Sequence, residues 1–115
     1  ADRLPPGALV KLYFGERLPF GLRPTKTALD AYLELMQESD LPWSVAVLGG
    51  DVIASGMAEM ALEAGGHLRV GLEDYAGSSQ PTNAELVREA VDLCKQAGRP
   101  VATRAEAHAL LGIPQ

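Results

Sequence analysis

Trp43-Ser44-Val45-Ala46-Val47-Leu48 is an almost continuously apolar run, rich in β-branched residues and stopped by Gly49-Gly50. Such a run suits a strand covered on both faces within a parallel sheet. Two further runs flank it: Ala8-Leu9-Val10-Lys11-Leu12-Tyr13-Phe14 before it and His67-Leu68-Arg69-Val70-Gly71-Leu72 after it. Each is bounded by glycine or proline. The reading predicts three parallel strands, over 8–14, 43–48 and 67–72.

Helical patterns separate the strands. Leu29, Tyr32, Leu33 and Met36 fall at i, i+3, i+4 and i+7, behind an opening at Pro24-Thr25. Ile53, Met57, Met60, Ala61 and Ala64 form a second stripe, with Gly65-Gly66 as its stop. Thr82 and Glu85 have capping-box spacing ahead of Leu86, Val87, Ala90, Val91 and Cys94. Thr103 and Glu106 repeat that spacing before a last short helix. The expected helices are 25–38, 53–64, 83–97 and 104–111. Strands alternating with helices imply right-handed crossovers and an α/β fold.

The chain has 115 residues, 47% of them hydrophobic and 22% charged, which excludes a disordered or collagen-like chain. Its net charge of −5 argues against nucleic acid or an acidic membrane surface as partner. No apolar run approaches the ~20 residues of a membrane span, and a cytoplasmic location is expected. The single cysteine, Cys94, excludes an internal disulfide and reads as core. His67 and His108 have no ligand spacing, so these residues alone make no zinc site.

The densest polar group is His67-Leu68-Arg69-Val70-Gly71-Leu72-Glu73-Asp74-Tyr75. Alternation in a continued strand sends Arg69, Gly71 and Glu73 to one face and Asp74 to the other. Gly71 leaves room there for a ligand, and Glu73 and Asp74 stand at the carboxyl end, where α/β folds bind their ligands. An internal Arg69–Glu73 ion pair explains the pattern equally well. Gly77-Ser78-Ser79-Gln80-Pro81-Thr82-Asn83 leads into a helix N-terminus. Ser78, Ser79 and Asn83 there could contact a phosphate, although an ordinary capped loop has the same composition. Gly49-Gly50-Asp51 is open to the same two readings. Lys11 and Tyr13 share one strand face. Lys11 could meet an anionic substrate or a neighbouring carboxylate, and Arg17 and Arg23 could meet a phosphate or remain solvated.

The string from Ala64 to Asp74, with Pro81-Thr82-Asn83-Ala84-Glu85-Leu86-Val87 and Gly98-Arg99-Pro100-Val101-Ala102-Thr103, resembles the C-terminal part of the β-keto acid cleavage enzymes. Phe20-Gly21-Leu22-Arg23-Pro24-Thr25 and Leu41-Pro42-Trp43-Ser44-Val45-Ala46-Val47 are similar to that family as well. The resemblance implies a zinc-dependent (β/α)8 TIM barrel. Its reaction is condensation of a β-keto acid with acetyl-CoA, giving acetoacetate and a new CoA thioester. The family's metal is held by a His-x-His pair of an early strand and by a glutamate matching Glu73. Its aspartate base matches Asp74 and the arginine partner Arg69. The resemblance involves no pyridoxal or nicotinamide cofactor.

His-x-His does not occur in these 115 residues. The expectation is therefore one partial domain, residues 1–115: the last three β/α units and terminal helix of a barrel. The N-terminal part of the barrel and assembly as a homo-oligomer would complete the enzyme, and the chain alone would be inactive. The competing expectation is a small α/β binding or regulatory module without catalysis.

Overall fold

The computed structural model describes residues 7–114. Its elements are β1 (Val10–Gly15), α1 (Lys26–Leu35), β2 (Trp43–Leu48), α2 (Met57–Glu63), β3 (His67–Leu68), α3 (Asn83–Gln96) and α4 (Arg104–Leu111). The three strands form one parallel sheet in the order β1-β2-β3. Leu12 pairs with Val45, Tyr13 with Ala46 and Phe14 with Val47.

That register sorts the side chains by face. Leu12, Phe14, Val45 and Val47 point to the side where Ala28 and Leu29 of α1 and Met57, Ala58 and Ala61 of α2 complete the core. Helices α1 and α2 touch each other, so both crossovers lie on this face. Phe14 meets Tyr32 edge-on, with ring centroids 5.3 Å apart. Ser44, Val45, Ala46 and Val47 are all buried, as expected of a strand covered on both faces.

Local signals set the helix ends. Thr25 caps α1 by accepting from the Ala28 N–H. Thr82 and Glu85 form the reciprocal capping box of α3. At α4, Thr103 accepts from the Glu106 N–H, but the Glu106 carboxylate takes the Thr103 hydroxyl proton. The second helix is shorter than its apolar stripe predicts. Asp51 Oδ1 accepts from the N–H groups of Ile53 and Ala54, which makes 51–56 a separate turn. Gly56 then takes φ +84°, a left-handed conformation that stops the helix from extending backwards.

The larger correction concerns the third strand, which occupies His67–Leu68 and not 67–72. Its outer side has no neighbouring strand among the described residues, so it pairs with β2 alone, while α2 packs against it. The ladder continues as far as the bond from the Arg69 N–H to Val45 O, 3.0 Å, and the chain then turns away. It meets the chain just beyond β2 at an isolated parallel bridge between Gly50 and Tyr75.

Helices α3 and α4 pack less completely. Leu86 is buried and Leu93 touches the core, while Cys94 is only half-buried. Val87, Val101 and Leu110 are about half exposed. They border a cleft of about 580 Å³ between the outer edge of β3 and the last two helices. Among the described residues, no helix is long and apolar enough to cross a membrane.

Candidate active site

The site is built by the turn that follows β3. After Arg69 the chain bulges through 70–74. The Tyr75 N–H bonds to Gly71 O at 3.1 Å and closes a turn. The Gly49 N–H holds Asp74 O at 2.9 Å, and the Ala76 N–H holds Gly50 O at 2.8 Å. The bulge is thus pinned to the carboxyl end of β2, the end at which the sequence placed a ligand site.

This path returns Asp74 to Arg69. Arg69 Nε lies 3.1 Å from Asp74 Oδ2, and the Asp74 side chain is only 8% exposed. Arg69 Nη2 reaches Glu73 Oε2 at 3.3 Å, and that glutamate is 86% exposed. The strand-alternation argument against an Arg69–Asp74 pair fails because residues 70–74 are not a strand.

Asp74 Oδ2 is buried and has no hydrogen-bond partner among the described residues, although Arg69 Nε is in ionic contact. A buried carboxylate oxygen without a hydrogen bond carries an energetic penalty and calls for a functional reason. Here the Arg69 guanidinium supplies the opposite charge beside that oxygen.

Tyr13 was not singled out as an arginine partner by the sequence, which noted only that it shares a face with Lys11. Arg69 Nη1 donates to Tyr13 Oη at 2.8 Å, and Arg69 Cζ lies 5.7 Å from the Tyr13 ring centroid. Lys11 instead borders the large cleft, beside Ser44 and His67.

A smaller cavity, about 270 Å³, is bounded by Arg69, Gly71, Glu73, Asp74 and Asn83. A Cβ at Gly71 would approach only Asn83 Oδ1, at 3.8 Å, so the space expected beside Gly71 is present. Asn83 Oδ1 accepts from the Leu72 N–H at 2.9 Å and ties α3 to the bulge. The Ser79 and Tyr75 hydroxyls share a hydrogen bond of 2.8 Å, and Ser78 is exposed. These contacts give Ser79 and Asn83 local structural roles. Asp51 caps its own turn, and Arg17 and Arg23 are exposed.

His67 stands at the other end of the strand. Burial, and then the nearby Arg99 charge, push its pKa below the ordinary 6.5. Arg99 is itself fixed by a bond from Nη1 to Leu62 O, 2.7 Å. Among the described residues, no group of three His, Cys, Asp or Glu side chains could hold a metal. Glu73 is a single candidate ligand.

The chain is similar in sequence to known proteins. The 3-oxoadipate:acetyl-CoA acetyltransferase of Cupriavidus necator is 47% identical over 79 residues, covering 65% of this chain and 27% of the relative. The 3-keto-5-aminohexanoate cleavage enzyme of Acetoanaerobium sticklandii is 43% identical over 79 residues, covering 65% of this chain and 28% of the relative. Its namesake in Fusobacterium nucleatum is 40% identical over 75 residues, covering 62% of this chain and 27% of the relative. The chain thus spans about a quarter of the length of the relatives it matches. The family model for beta-keto acid cleavage enzymes matches residues 1–113, nearly the whole sequence, and the chain belongs to that family.

Proposed function

We propose that these residues carry the proton-transfer end of an active site that condenses a β-keto acid with acetyl-CoA, giving acetoacetate and a new CoA thioester. The observation that carries this reading is the Arg69–Asp74 ion pair, 3.1 Å, held at the carboxyl end of the sheet beside the smaller cavity. Asp74 takes a proton from the carbon beside the keto group. The C–H electron pair stays on that carbon, which attacks the acetyl thioester carbonyl. Arg69 pairs with Asp74 and offers its charge to the substrate carboxylate. The acetyl C–S bond then breaks and the CoA thiolate leaves; it adds to the original keto carbonyl, and the C–C bond to that carbonyl breaks, giving the new CoA thioester and an acetoacetate carbanion that takes the proton back from Asp74.

Glu73 is the residue of this chain suited to a zinc ion, being an exposed carboxylate beside the cavity. The described residues do not complete a donor set, so the remaining ligands would lie outside them. A zinc ion held there would polarise the keto carbonyl. Ser78, Ser79 and Asn83 border the approach to α3 and are the candidates for CoA or phosphate contacts.

The proposed architecture is the last three β/α units of a (β/α)8 barrel. The strands lie in consecutive order with α1 and α2 on one face, while Lys11 and Tyr13 project from the other. That winding favours a barrel over a doubly wound binding module, whose helices cover both faces. The half-exposed Val87, Val101 and Leu110 suit contact with further polypeptide, either the rest of the barrel or another subunit of a homo-oligomer. The acidic charge and lone cysteine suit a cytoplasmic enzyme. The test is acetoacetate formation from acetyl-CoA and a panel of β-keto acids, using the whole protein. Activity that vanishes in Asp74→Asn supports the reading, and undiminished activity in that variant overturns it.

A further inference from the structure

We infer that the loop leaving β1 binds the phosphorylated nucleotide end of acetyl-CoA, with Arg17 and Arg23 on the phosphates and Phe20 against the adenine. The inference rests on the proposed function and deepens it, by naming where the far end of that substrate is held.

The loop stands at the end of the sheet that carries the candidate site. β1 and β2 are parallel, so the chain leaves Gly15 at the carboxyl end, where the Asp74 bulge is also pinned. Gly49 connects the two. Its N–H holds Asp74 O at 2.9 Å, and a Cβ added to it would come within 2.8 Å of Glu16 O. One glycine therefore separates the loop from the Arg69–Asp74 pair.

The loop is fixed before any ligand arrives. The Gly15 N–H bonds to Leu22 O at 2.8 Å and closes it, and the Glu16 N–H bonds to Leu48 O at 3.0 Å. The Leu18 side chain packs over Gly15 and Gly49. The Glu16 carboxylate accepts from the Asp51 N–H at 3.3 Å, which draws the acid of the loop towards the end of β2. Within this frame Arg17 has φ +62°, the one positive φ outside glycine among the described residues. Glycine takes that conformation freely, whereas a long side chain takes it at a cost, and such strain concentrates at functional sites.

The charges point to the ligand. Arg17 and Arg23 are exposed, and neither has an ion-pair partner among the described residues. Arg23 follows Leu22, the residue bonded to Gly15, so both arginines stand near the neck of the loop. Between them, Phe20 is 65% exposed. Guanidinium groups grip phosphate oxygens, and an exposed phenyl ring stacks on a base. In acetyl-CoA that combination belongs to the adenosine end, with its 3′-phosphate and diphosphate. A chain of net charge −5 needs a local positive patch to hold such a polyanion. Ser78, Ser79 and Asn83 are uncharged and supply hydrogen bonds only.

The experiment uses the whole protein and two acetyl donors: acetyl-CoA, and S-acetylpantetheine, which has the same thioester without phosphate or adenine. Wild type is compared with Arg17→Gln, Arg23→Gln and Phe20→Ala, all at exposed positions. Each variant is expected to lower kcat/KM for acetyl-CoA about tenfold, the scale of one lost contact to a charged group or one lost base stack, chiefly through KM. With S-acetylpantetheine the variants should stay within about twofold of wild type. Adenosine 3′,5′-bisphosphate, titrated by calorimetry, should bind the variants about tenfold more weakly than wild type. A loss of equal size with both donors, an unchanged kcat/KM for acetyl-CoA, or a nucleotide affinity that the arginine variants leave unaltered overturns the inference. Wild-type protein that forms no acetoacetate from either donor overturns the proposed function instead. The nucleotide titration then decides the loop alone: weaker binding in the arginine variants supports it, and absence of binding to wild type overturns it.

Discussion

Arg69 Nε and Asp74 Oδ2 lie 3.1 Å apart because the chain between them is a bulge and not a strand. Five residues apart in a continued strand, the two side chains would project from opposite faces. The bulge is anchored at both ends: Val45 O holds the Arg69 N–H at its start, and Gly49 and Gly50 hold Asp74 and Ala76 at its finish. The ion pair therefore depends on the second strand as much as on the third.

Replacing Asp74 by Asn removes the charge and the proton acceptor while preserving shape. In the whole protein, kcat is expected to fall by roughly 10²–10⁴-fold, the usual contribution of a positioned base. Metal content, measured by elemental analysis, is expected to stay at the wild-type level. An unchanged kcat would exclude Asp74 as the base.

Glu73 makes a different prediction. Its carboxylate is exposed and touches only the Arg69 fork among the recorded ion pairs. Glu73→Gln is expected to lose bound zinc and activity together, with little change in unfolding midpoint. Full zinc occupancy in purified Glu73→Gln would remove Glu73 from the ligand set.

The three strands and four helices were legible because their apolar periods and caps are local signals. Both faces of β2 could be read from its unbroken apolar run. The length of β3 could not, because a strand end depends on neighbours that periodicity does not report. Val70 and Leu72 look like strand residues, yet the chain leaves the ladder after Arg69. The start of α2 was hidden by Ile53, which extends the stripe backwards past a left-handed Gly56. In the candidate site, Arg69, Glu73 and Asp74 were legible from their clustering. Tyr13 was not, since its contact with Arg69 spans 56 positions and crosses another strand.

Gly66 offers a stability test away from the chemistry. A Cβ there would run into the six-membered ring of Trp43, which packs over the start of β3. Gly66→Ala is expected to lower unfolding stability by about 1–3 kcal/mol, the range for overpacking a filled site. Urea denaturation would measure it, and an unchanged midpoint would show that Trp43 moves aside without cost.

His67 predicts how stability responds to acid. Burial, followed by the Arg99 charge, lowers its pKa in the folded protein, whereas an unfolded chain keeps the ordinary value of 6.5. As pH falls through 6.5, the unfolded state takes up a proton that the folded state still refuses. Protonation then favours unfolding, so stability declines from that point until the folded pKa is reached. Below that, both states are charged and His67 adds no further loss. His67→Gln removes the titrating group and keeps a polar side chain. The drop in urea midpoint between about pH 7.5 and about pH 5.5 is therefore expected to be smaller in His67→Gln than in wild type. Equal drops in the two proteins would show that other groups govern the acid response, and a larger drop in the variant would reverse the sign assigned to His67.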